Sequence, residues 1–134
     1  MIRRYMKVGH WEVYFFFALK GYDEEAILDL LYDLDAPDDI MLHAMRKMKK
    51  GIPNEGFTFT NGYRKVAAVV IGPTTSGAEF QNSFMHELRH LIDSIAFDSG
   101  IHLYGEPVAY LTGDTAMELA DVVCKLGCKD CRNR

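Results

Sequence analysis

Glu79–Tyr110, EFQNSFMHELRHLIDSIAFDSGIHLYGEPVAY, is the stretch around which the chain is organised. At its centre stands His86-Glu87-Leu88-Arg89-His90, an H-E-x-x-H pattern inside a run of helical periodicity. Phe84, Leu88, Leu91, Ile92 and Ile95 recur at i, i+4, i+7, i+8 and i+11, which predicts one buried face. At about 100° per residue, His86 and His90 fall about 40° apart on the opposite face, with Glu87 beside them. One face can therefore anchor in a core while the other lines a cleft. Two neutral imidazoles one turn apart can grip one zinc ion, and a neighbouring carboxylate can take a proton from water activated there. The competing reading is a solvated helix face that happens to carry two histidines.

Fifteen residues separate His90 from Glu106, enough to finish one helix, turn and start another. Pro107 suits a first helical position and puts Glu106 at the N-cap or just before it. From there Ala109, Gly113, Ala116 and Ala120 form a ridge of small residues, with Tyr110 and Met117 beside it. Such a ridge predicts a close helix crossing, which could bring Glu106 to a metal held by the preceding helix. Thr112-Gly113-Asp114 could instead bend or restart this last helix. A capping or surface carboxylate is the plainer alternative for Glu106.

On these residues the chain resembles the zincin metallopeptidases, and within them the gluzincin branch, whose third ligand is a glutamate on the next helix. The metzincin branch is a poor match, because its third ligand would fall at Ala96. The resemblance covers about a quarter of the chain. It implies zinc held by His86, His90 and Glu106, Glu87 as general base, and hydrolysis of peptide bonds. It also implies a strand beside the cleft that holds an extended peptide by backbone pairing. Gluzincins often carry an aspartate four residues after the ligand glutamate, and here that position is Tyr110.

Bulk properties narrow the other classes. The 134 residues, 49% of them hydrophobic, suffice for one domain with a real core. A net charge of −4 and the lack of a long basic tract argue against a nucleic-acid partner. No apolar run reaches transmembrane length, so no membrane partner is expected. Arg3, Arg4 and Lys7 precede the apolar Val13–Leu19, but His10 and Glu12 interrupt the approach and no small-x-small cleavage site follows. A first strand is the better reading than a signal peptide. Cys124, Cys128 and Cys131 are odd in number and crowd the end of the chain, which fits a reducing cytoplasm. Cys128-x-x-Cys131 could be half of a structural zinc site, but no fourth ligand lies nearby, and a flexible thiol-bearing tail over 127–134 is expected.

Trp11–Leu19 reads as a buried strand. Asp23-Glu24-Glu25 opens a helix whose Ala26, Ile27, Leu30, Leu31 and Leu34 make a core face. A second helix begins near Pro37 and runs through Ile40, Ala44, Met45 and Met48 to a basic end stopped by Gly51 and Pro53. That basic end reads as a solvated helix terminus. Gly56–Thr60 alternates as a half-buried strand, Asn61-Gly62 signals a two-residue hairpin, and Tyr63–Ile71 returns. This returning strand is the one that would lie beside the cleft, or the hairpin is purely structural. No boundary interrupts residues 1–134.

Near the cleft, Asp93 suits a salt bridge or a hydrogen bond to a ligand better than direct ligation. Tyr110 could donate to a developing oxyanion or simply pack in a helix contact. His102 and Tyr104 could border the cleft, with His102 a weaker ligand candidate than Glu106. His10 and His43 read as surface residues. The expected fold is a compact α+β zincin-like domain, a small and largely antiparallel sheet packed with helices. The expected function is a zinc (Zn2+) metallopeptidase acting on a peptide or protein. Two rivals stand beside it: a zincin-like module that binds metal without turnover, and an interaction protein whose exposed strand captures a peptide.

Overall fold

Two central strands, buried on both faces, set the layering. The computed structural model describes residues 1–129 and Arg132. The described elements run β1 (Ile2–Val8), β2 (Trp11–Phe17), α1 (Glu24–Asp33), α2 (Asp38–Lys50), β3 (Gly56–Asn61), β4 (Val66–Ile71), α3 (Gly77–Ser99), α4 (Glu106–Glu118) and α5 (Ala120–Gly127). The sheet order is β1-β2-β4-β3. β2 and β4 pair in parallel at the centre, while β1 and β3 add antiparallel edges. The fold is α+β, as the sequence predicts, but the sheet is mixed, because helices on both faces leave room for a parallel central pair.

Strand alternation sorts the core into two layers. Trp11, Val13, Phe15 and Phe17 of β2, with Ala67, Val69 and Ile71 of β4, pack against α3, α4 and α5. Phe16, Val66, Ala68 and Val70 point the other way, onto Ile27, Leu31 and Leu34 and onto Ala44 and Met48 of α2. Burial on both sides explains why these strands read as continuous apolar runs. α3 contributes Phe84, Leu88, Leu91, Ile92 and Ile95, all buried, so the predicted stripe is the buried face. Ser76 caps its start, accepting from the Glu79 N–H at 3.1 Å. Gly100 ends it in the left-handed region at φ 69°, where a side chain would be strained. α1 likewise starts on Asp23, whose carboxylate accepts from the Ala26 N–H at 3.1 Å.

Four features differ from the sequence reading or go beyond it. First, the N-terminal basic segment is itself a strand: β1 pairs with β2 through a two-residue turn at Gly9-His10, with Val8 opposite Trp11. It is an edge strand, so charged residues on its exposed positions cost nothing and hide its alternation. Second, the hairpin after β3 has a four-residue connection, since Asn61 pairs with Val66. The Asn61 side chain accepts from the N–H groups of Tyr63 and Arg64 at 3.1 and 3.3 Å, and the positive φ falls on Lys65. A side-chain turn thus replaces the two-residue backbone turn. Third, the returning strand β4 lies inside the sheet, and β3 is the edge.

Fourth, the small-residue ridge does not form a helix contact as a whole, since only Ala116 of it packs against the core. Ala109, Gly113 and Ala120 are exposed, and the chain buries Val108, Thr115, Leu119 and Val122 instead. Larger apolar side chains gain more from burial and set the rotation of the helix. α4 passes through Gly113 without a break and ends at Leu119, where α5 restarts. Of the segment 127–134, Gly127 closes α5, and Arg132 donates to the carbonyls of Leu126 and Thr74 at 2.7 and 2.6 Å. Cys131, and with it the Cys128-x-x-Cys131 pair, lies outside the described residues.

Candidate functional site

The outer face of α3 and the edge strand β3 form the two walls of a cleft. Its floor is divided into two adjoining depressions of about 270 and 340 Å³. Lys47, Gly56, His86 and Glu87 line both; Asn82 and Ser83 extend one, and Thr58, Thr60, His90 and Ser94 the other. The alternation of β3 makes this possible. Phe57 and Phe59 go to the α1–α2 side, while Gly56, Thr58 and Thr60 remain toward α3.

His86 and His90 are exposed and present their Nε2 atoms to each other at 3.2 Å, with the rings nearly perpendicular. Zinc–nitrogen bonds of about 2.0–2.1 Å at tetrahedral angles put two ligand nitrogens about 3.3 Å apart. The pair therefore has the separation a shared zinc requires. Without a metal, the same separation is an N–H···N hydrogen bond in which one ring donates.

Glu87 is different: it is only 5% exposed, sealed beneath β3. The Thr58 hydroxyl donates to its Oε1 at 2.9 Å, and its Oε2 lies 3.9 Å from His86 Nε2. Gly56 makes the space, because a Cβ there would run into the Val70 carbonyl and sit 3.2 Å from Glu87 Cγ. Gly56→Ala should therefore destabilise the fold by about 1–3 kcal/mol, as overpacked sites do. A chemical denaturation curve matching wild type would contradict this packing. Lys47 turns from the end of α2 into the cleft, its Nζ 3.8 Å from Glu55, while Lys49 and Lys50 stay in solvent. Burial holds the Tyr22 phenol above its ordinary range, and the charges of Glu55 and Glu87 push it further. The buried Ser83 hydroxyl has no hydrogen-bond partner among the described residues.

The remaining candidates lie apart from this cluster. Glu106 heads α4 as an exposed carboxylate with no hydrogen bond or ion pair among the described residues. No three His, Cys, Asp or Glu side chains among the described residues are grouped to hold a metal, so Glu106 does not join His86 and His90 here. Asp93 takes the salt-bridge role, receiving Arg89 Nε on both oxygens at 2.8 and 2.9 Å. Tyr110 is 67% exposed, so it is not the buried tyrosine of a helix contact. His102 and Tyr104 are exposed and face each other at 6.1 Å, outside both depressions. His10 and His43 are surface residues. A larger depression of about 720 Å³ lies at the other end of α3, around Gly77 and Thr74, and among the described residues no acidic or histidine side chain lines it.

The sequence reading missed Thr58, Gly56 and Lys47. Their signal was faint but present: in Gly-Phe-Thr-Phe-Thr the phenylalanines claim one face and leave glycine and threonines on the other. Compared with known proteins, the chain matches no protein-family model, no curated protein and no solved structure. No helix among the described residues is long and apolar enough to cross a membrane.

Proposed function

We propose that this domain is a zinc-dependent hydrolase of peptide bonds, of zincin-like and gluzincin-like kind, with the cleft between α3 and β3 as its active site. The observation that carries the reading is the His86–His90 separation of 3.2 Å beside a buried glutamate. His86 and His90 would hold the ion; Glu106, which stands outside their group in this structure, is the third ligand that the gluzincin resemblance implies. A zinc ion held there would supply Lewis acidity. Glu87 takes the proton from the attacking water and returns it to the leaving amine. Its burial excludes bulk water from one side, and Thr58 holds one of its oxygens in place. β3 ends the sheet, so its outer backbone groups can pair with an extended peptide laid across the histidines. A reducing cytoplasm suits the exposed thiol of Cys124.

The same edge strand supports a second reading, a non-catalytic module that captures peptide or binds metal, and the separation of Glu106 from the histidines favours its peptide-capturing form. The discriminating experiment is digestion of a mixed peptide library by zinc-loaded protein, read by mass spectrometry. New termini that vanish with chelator are expected. Zinc bound with no new terminus would favour the non-catalytic module.

A further inference from the structure

We infer that Thr58 is a positioning residue for Glu87, a role that rests on the hydrolase reading above. The hydroxyl has one proton to give, and the Glu87 side-chain Oε1 at 2.9 Å is a better acceptor than the Glu87 backbone carbonyl at 3.4 Å. The bond divides the carboxylate. Oε1 is tied to the sheet, and Oε2 is left on the side of His86, 3.9 Å from its Nε2. A glutamate side chain has three rotatable bonds, and burial alone does not choose among its rotamers. Gly56 and Thr58, two residues apart on one face of β3, do so together: the glycine admits Cγ and the threonine fixes the terminal oxygen.

The base is thereby held by the strand that ends the sheet, the one to which a peptide would pair in the proposed reading. Main-chain pairing along β3 and the aim of Glu87 share one rigid element, so a peptide seated on the edge meets a base already oriented. Thr58 touches neither substrate nor metal in this account and acts through Glu87 alone.

Two substitutions separate this role from packing. Thr58→Val keeps the shape and loses the hydroxyl; Thr58→Ser keeps the hydroxyl and loses a methyl group. On peptides cleaved by the wild type, Thr58→Val should lower kcat about tenfold or more, the usual cost of losing such an orienting partner. KM should change little, since ground-state binding is untouched. Thr58→Ser should restore most of kcat. Equal kcat in wild type and Thr58→Val, or a serine variant as impaired as the valine one, would overturn the role while leaving the hydrolase reading standing. A zinc-loaded wild type that cleaves nothing in the library removes that reading and the role with it. A measurement without turnover runs alongside: Thr58→Val should lower the denaturation midpoint in the wild-type background and lose that effect in Glu87→Ala. Equal loss in both backgrounds would reduce Thr58 to packing and overturn the inference.

Discussion

Replacing Glu87 with glutamine should leave fold and zinc binding intact while cutting hydrolysis of a peptide library by a factor of roughly a hundred or more. The fold should survive because glutamine has nearly the shape of glutamate, and its Oε1 can still accept the Thr58 hydroxyl that now reaches Oε1 at 2.9 Å. Zinc should stay because Glu87 lies beneath β3, with Oε2 3.9 Å from the nearest imidazole nitrogen, and is not assigned as a ligand. What the amide lacks is basicity. A hundredfold loss corresponds to about 2.7 kcal/mol of transition-state stabilisation, within the range expected of one general base. Cleavage undiminished in Glu87→Gln would remove Glu87 from the chemistry. Loss of zinc along with activity would instead make it a ligand and require a different base.

The parts of the fold legible in the sequence are those with local causes. α3 declares itself by a stripe of five apolar residues at helical spacing, and all five are buried. Asp23, Pro37 and Gly51 mark helix ends because caps and stops act within one turn. The H-E-x-x-H spacing puts two histidines on one face, and the structure has their nitrogens 3.2 Å apart.

The rest depends on relations that no local pattern carries. Which strand is the edge is decided by the sheet order, and its one local trace is that Val66–Ile71 is apolar throughout while Gly56–Asn61 alternates. β1 was hidden because an edge strand tolerates arginine and lysine on its open face. Asn61-Gly62 predicted a tight turn, yet the Asn61 side-chain Oδ1 accepts from two later N–H groups and lengthens the loop. Ala109, Gly113 and Ala120 misled for a simple reason: small residues suit a helix contact and an exposed face equally well. Lys47 shows the same limit. It sits in a basic run that reads as solvated, and only the packing of α2 against the sheet turns it into the cleft.

Zinc content is the direct test of a metal held between His86 and His90. Wild type exposed to zinc and then dialysed should retain about one zinc per chain, as a site with protein ligands does. His90 is exposed and lies off the buried stripe, so His90→Ala should keep the thermal transition of the wild type. With one of two facing imidazoles gone, it should lose most of the metal. Elemental analysis of the two proteins side by side decides the matter: about one zinc in wild type and little in His90→Ala is the expected result. A wild type that holds no zinc, or a His90→Ala variant that holds as much as wild type, would contradict the metal site.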